Sequence, residues 1–444
     1  MKPIKTGFHL IAIALLLFSG SCSDKVKDTI TYTANIPVYL ARTDFVKTVQ
    51  TGAFQALANP GKIYLRGNYI FINELYKGIH IIDNTTPANP KNVAFITIPG
   101  NVDIAVRGNT LYADSFTDLV ALDITDPTKA TEISRVADAF PNVMPPTNNN
   151  FPVTGLDTTK GIVIGWTQKK ITEDLSTPVY WVVPMGLSSS TYYSKDNSSW
   201  STLASGISGQ SAIAGTGISV QSAVAGSMAR FAVYNDMLYA LTNSQMKIFS
   251  IANTQPVLLN STWTNWQAQT LFISGQLMFA GTRQGLIIFS LSNPSLPTQV
   301  STFSHAYSCD PVVVEGNYAY YTILSGNSCG QSSSGLGVVD ISDPTKPKEV
   351  NFFAMSTPNG LGIDNNRLFV CNGDNGLVVY NAANPAAIIT NQLASFNNIQ
   401  AYDVIPYNNI LIVIGKGGLM QYDYTDITNI KLLSTIHVTF QGLI

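Results

Sequence analysis

The feature that most constrains this chain is a unit of four short strand-like runs that recurs along it. Its cleanest copy is Val102–Val136, VDIAVRGNTLYADSFTDLVALDITDPTKATEISRV. Asp103–Arg107 leads into a Gly108-Asn109 turn, and Thr110–Ser115 follows. After a polar break come Leu119–Ile124, an Asp126-Pro127 turn and Thr131–Val136. Branched and aromatic residues fill the runs, while Gly, Asn, Asp and Pro punctuate them. One such meander has two open edges and cannot bury both faces, so a single copy would not be stable.

Further copies start at Lys62, Arg230, Thr270, Pro311, Gly360 and Asp403. Their first-turn residues are Gly67, Gly108, Asn235, Gly275, Gly316, Asn365 and Asn408, separated by 41, 127, 40, 41, 49 and 43 positions. A period near 41 with four strands per unit predicts an all-β chain, a β-propeller of four-stranded antiparallel blades over residues 60–438. The step of 127 is one period plus 86 residues. The irregular stretch at about 142–226 is either a degenerate eighth blade (Asn142–Val183) or an insertion on a seven-bladed ring; seven is the reading adopted. Within it, Lys160–Asp174 and Pro178–Val183 read as strands, and Leu187–Gly226, rich in Ser, Gly, Ala and Thr, as a loop. Ring closure falls to an N-terminal strand or to packing of the last module on the first.

Charged residues make up 12% of the chain, about half of the roughly 25% usual in soluble domains. The net charge is -2 and no basic run occurs, which excludes nucleic acid as the expected partner. Residues 1–21 have the form of an export signal: Lys2 and Lys5, the apolar Leu10–Phe18, then small residues. No other apolar run approaches the ~18 residues a spanning helix needs. Residues 22–59 read as a polar tether with a strand at Ile36–Leu40 and helical turns at Arg42–Gln50; residues 439–444 read as a C-terminal tail.

Two resemblances follow. Ser19-Gly20-Ser21-Cys22-Ser23-Asp24 resembles a bacterial lipoprotein signal of the looser Bacteroidetes type, with Ser19 where Leu is usual. That implies cleavage before Cys22, lipidation of its thiol with palmitate-like chains, and an outer-membrane lipoprotein of the cell envelope, facing the surface or the periplasm. The plain alternative is a secretory signal in which Cys22 is incidental. The runs GNYIFINELYKGIHIIDNTTP, RGNTLYADSFTDLVALDITDP and EGNYAYYTILSG…LGVVDISDPTKP are similar to LVIVD-repeat proteins, bacterial exported or lipid-anchored propellers. The similarity spans about Pro60 to Val438. It implies the fold and brings no residue-by-residue chemistry.

Strands a to d of a blade alternate in direction, so the d-to-a connections and b–c turns share one face. That face receives the irregular segment, Cys309, and Cys329 in a lengthened b–c loop. Cys309 and Cys329 are expected to form a disulfide worth roughly 3 kcal/mol, the alternative being two free thiols. Cys371 reads as a buried free thiol. Strand a lines the channel, and its first residues stand at the channel mouth: Lys62, Asp103, Arg230, Thr270, Asp310 or Pro311, Gly360 and Asp403. Lys62, Asp103, Arg230, Asp310 and Asp403 are therefore candidates for a small polar ligand or a Ca²⁺ ion, against the plainer reading of a wet polar lining. Asp123, Asp126, Asp340 and Asp343, in the c–d turns, are read as turn-formers.

Catalytic motifs are lacking. Gly326-Asn327-Ser328-Cys329-Gly330 fits G-x-S-x-G with no helix pattern after it. No phosphate loop, dinucleotide fingerprint or His-Glu-x-x-His occurs, and His80, His305 and His437 are scattered. Trp166, Trp181, Trp200, Trp263 and Trp266 suit either sugar stacking or packing. The expectation is an envelope protein that binds a protein or glycan ligand, the alternative an enzyme on envelope polymers using the channel-mouth carboxylates.

Overall fold

The structure is a computed structural model that describes residues 29–148, 150–174, 224–225, 229–242, 245–264, 268–282, 284–304, 311–324, 333–415 and 417–439. Seven four-stranded antiparallel modules form the blades of a propeller. They span residues 60–97, 104–136, 231–263, 268–304, 312–354, 361–396 and 401–436, numbered here as blades 1 to 7. The inner strands of successive blades touch one another round the ring from blade 1 to blade 7.

The local chemistry explains why the module recurs. All seven first-turn residues sit at positive φ, from +49° at Asn408 to +59° at Gly316, where Gly and Asn are the least strained choices. The amide that follows strand c bonds the carbonyl of the a–b turn in every blade, as in Ile124 to Asn109 and Tyr424 to Asn409. Each c–d pairing also carries a register shift at the same place, such as Ile81/Ile82 and Val338/Val339, which adds twist to the outer strand. Strands b and c are covered on both faces by neighbouring blades, so runs like Tyr69–Glu74 and Asp118–Asp123 are almost wholly buried. The outer strands alternate instead with solvent.

Pro178–Val183 and most of Leu187–Gly226 lie outside the described residues; among the described residues of 142–226 there is no eighth blade. Their described strands are Ile162–Asp174 and Val224–Ala225. The first pairs antiparallel with Thr29–Leu40 as a two-stranded ribbon outside the ring. The second pairs with the inner strand of blade 1, and Gln50–Gly52 pairs with that blade's outer strand, giving a six-stranded sheet. The N-terminal strand is thus longer than the expected Ile36–Leu40 and takes no part in closure; the helix that follows is only Arg42–Phe45.

Packing closes the ring. Ile405, Ile412, Ile414 and Leu419 of blade 7 meet Ile63, Leu65, Ile70 and Ile72 of blade 1. Gln421 and Asn84 exchange two amide hydrogen bonds (2.9 and 2.7 Å), and Ser434 donates to the Pro87 carbonyl at 2.6 Å. Among the described residues, no helix is long and apolar enough to cross a membrane.

Candidate functional site

Two features lie on the face of the d-to-a connections and b–c turns. The first is the channel end. The structure brings Lys62, Asp103 and Arg230 together in a cluster rather than round an open mouth; they are 5, 1 and 5% exposed. Asp103 Oδ2 accepts from Lys62 Nζ at 2.5 Å, from the Arg230 amide, and from the Phe231 amide at 3.2 Å; Oδ1 accepts from Ile104 N at 2.7 Å. Burial pulls the Lys62 ammonium below its ordinary range, opposed chiefly by Asp103. The carboxylate is fully engaged, as a buried charge must be.

Asp114, at the end of strand b, is a member the sequence reading missed. Its Oδ1 accepts from Val102 N, Asp103 N and Asn101 Nδ2 at 2.8, 2.9 and 2.8 Å, while Oδ2 is buried without a partner. Burial pushes its pKa up to about 6 despite the backbone donors. Its place inside a strand-like run gave no signal of a charged cluster.

Asp403 stands apart from this cluster. It is 2% exposed and neither oxygen has a hydrogen-bond partner of good geometry. Burial lifts it well above the carboxylate range, with only the Val404 amide opposing. Its carboxyl fills the space beside Gly360, where a Cβ would come within 2.1 Å of Oδ1. Cys371 is buried and free; burial, then the nearby Asp403 charge, raise its thiol. Cys22, Cys309, Asp310 and Cys329 lie outside the described residues, as do Trp181, Trp200 and Trp266. No group of three His, Cys, Asp or Glu among the described residues could hold a metal.

Other conspicuous charges are structural. Asp123, Asp126 and Asp343 each accept from the amide and hydroxyl of the Thr two residues on, and Asp340 from the Ser342 amide. Buried Glu74 binds His80 at 3.0 Å and the amides of Ala58 and Asn59; burial would raise its carboxyl, but these donors together hold it below the usual value.

The second feature is a cleft of about 350 Å³ where the N-terminal ribbon crosses the b–c turns of blades 1 and 2. Its aromatic walls are Tyr76 and Phe116 from those turns and Trp166 from the ribbon. Pro145 and Pro146 complete the apolar surface, and Asn35, Asn148 and Gln168 supply amides. Ile164 is the extra residue of a bulge between the pairs Val38–Gly165 and Tyr39–Val163, and it lines the cleft with Gly165 and Trp166. Trp166 Nε1 donates to the Pro145 carbonyl at 2.9 Å, which fixes the indole.

The ribbon is held in place by Phe45, buried with Phe116 and Ile162, and by charges: Arg42 reaches Asp118 at 2.9 Å, and Asp118 also binds Arg135 at 3.1 Å. Tyr76 and Phe116 have φ of +64° and +45°. Every other non-Gly residue at positive φ among those described is Asn or Asp, which tolerate it best. A bulky residue held there costs on the order of 1–2 kcal/mol, and such strain concentrates at functional positions. The signal available in the sequence was an aromatic residue in two b–c turns whose counterparts elsewhere include Gly373-Asp374-Asn375 and Lys416-Gly417.

The fold defines the class, a seven-bladed β-propeller. Residues 100–138, 267–304 and 307–354 match the model of the LVIVD repeat, so the chain is a propeller built in part from LVIVD repeats. No curated protein matches the sequence. Similar solved structures include the computationally designed Ika8 protein (10% identity, TM-score 0.48, covering 88% of this chain and 93% of that one). The periplasmic gluconolactonase PpgL of Pseudomonas aeruginosa is 12% identical, with a TM-score of 0.48 and coverage of 85% and 96%. BamB of Moraxella catarrhalis is 7% identical, with a TM-score of 0.44 and coverage of 80% and 79%. These are likenesses of fold alone.

Proposed function

We propose that this protein is a binding platform of the cell envelope, held at the outer membrane through a lipidated Cys22. Its recognition surface for a protein or glycan ligand is the face carrying the b–c turns of blades 1 and 2. The observation that supports this most directly is the cleft itself. It lies where the chain departs furthest from its own repeat, and it is walled by aromatic rings from three segments. Rigid blades that present irregular loops on one face suit recognition.

The channel-end carboxylates argue in the same direction. Asp103 is saturated by an ammonium and three amides, and Asp403 is buried, so neither is placed to act on a polymer in solvent. The test is capture of envelope components by the full lipidated chain, beside a Tyr76→Ala/Trp166→Ala double variant. Partners held by the wild type and lost by the variant are expected; the same set from both would overturn the assignment of the face. Cys22→Ser should move the protein to the soluble fraction, and retention on membranes would contradict the anchor.

A further inference from the structure

We infer that the cleft beneath the N-terminal ribbon binds an uncharged oligosaccharide, stacking sugar rings on Tyr76 and Trp166 and meeting hydroxyls with its amides. The assignment rests on the platform role proposed above and names its ligand class.

Charge is the first discriminator. None of the described residues that line the cleft carries one, so an acidic or basic ligand would be desolvated there without a partner. What the cleft offers instead is ring faces and side-chain amides. Tyr76 and Trp166 are half-buried, and the indole N–H is already spent on the Pro145 carbonyl, so the ring presents its apolar surface. An indole held this firmly loses little freedom on binding.

The second discriminator is an unmet acceptor. Asn35 lines the cleft and is 1% exposed. Both its amide protons are used, on the Asn148 and Phe151 carbonyls at 2.9 and 2.7 Å, whereas its Oδ1 is buried with no partner. A buried acceptor of this kind calls for a donor. A hydroxyl supplies one once the ligand opens the narrow approach to this atom, which solvent does not reach in the free protein. Asn148 and Gln168 stand exposed at the rim, and an amide donates and accepts as a hydroxyl does. A proline-rich peptide would also suit the aromatic surface, but its prolines have no N–H to give Asn35. The strain at Tyr76 and Phe116 falls on these same walls and on no other bulky described residue.

The test uses the full-length protein in detergent against an array of neutral oligosaccharides, uronic-acid oligosaccharides and proline-rich decapeptides. Hits are followed by isothermal titration. Neutral sugars are expected to bind, with at least tenfold weaker affinity for Trp166→Ala and a several-fold loss for Gln168→Ala. Gln168 is exposed, so its variant reads binding even where Trp166→Ala is poorly folded. Sugar binding unchanged in both variants, or no neutral sugar bound at all, would overturn the inference. Peptide binding that Trp166→Ala abolishes would overturn the sugar assignment while leaving the platform role standing. If no probe binds and envelope capture is also insensitive to Tyr76→Ala/Trp166→Ala, both fall.

Discussion

Lys62 and Asp103, 41 residues apart, hold the same position in blades 1 and 2 and form a buried ion pair at 2.5 Å. The repeat period is therefore also a contact, in which each blade supplies one charge to the seam between them. Asp103 has other donors, the amides of Ile104, Arg230 and Phe231.

The two residues should respond differently to removal. Lys62→Met leaves Asp103 hydrogen-bonded and is expected to cost about 3 kcal/mol, the low end for breaking a buried pair. Asp103→Ala strands a buried ammonium and three amides, and about 4–5 kcal/mol is expected. Urea unfolding of both variants checks this; equal losses, or none, would contradict the network.

Stability should fall between mildly acidic and neutral pH because of Asp114 and Asp403. Both carboxyls are raised in the folded state by burial, Asp114 to about 6. A raised carboxyl favours folding fully below its unfolded pKa of about 4, and that contribution is lost as pH rises through the folded value. Asp403→Asn removes one source of the loss without changing shape. It should raise the midpoint of thermal unfolding by a few degrees at pH 7 to 8 and little at pH 4. A lower midpoint at pH 8 would mean the charge is compensated.

Gln421 and Asn84, 337 positions apart, join the last blade to the first. Because no strand is exchanged there, Gln421→Ala leaves the half-buried Asn84 amide unpaired and should cost about 1 kcal/mol. Hydrogen exchange should then rise first in strands 410–415 and 418–423 of blade 7. Uniform exchange round the ring would show that closure is not the weak seam.

Thiol counting tests the cysteine expectations. With Cys22 acylated and Cys309 joined to Cys329, the native protein should show no reactive thiol, since Cys371 is fully buried. Unfolding without reductant should then expose one. Three exposed thiols would contradict the disulfide.

What the sequence made readable was whatever local geometry imposes on residue identity. Gly67, Asn235 and Asn408 mark turns because positive φ selects them, and Asp123 or Asp343 precede Thr or Pro because the Asx turn does. The blade count followed from those marks. The pairing of Thr29–Leu40 with Ile162–Asp174 was hidden, since two strands 122 residues apart at their near ends carry no shared period. The burial of Lys62 and Asp103 depends on what packs over a strand end, which strand periodicity does not encode. The cleft was least accessible of all: Asn35, Tyr76, Phe116, Pro145 and Trp166 come from five separate places in the chain.

The most direct test of recognition at the ribbon face is hydroxyl-radical footprinting of the full-length protein with and without its captured ligand, read by mass spectrometry. Protection is expected at Tyr76 and Trp166, with Trp263, exposed on the outer strand of blade 3, unchanged. Unaltered oxidation of Tyr76 and Trp166 in the saturated complex would contradict the account.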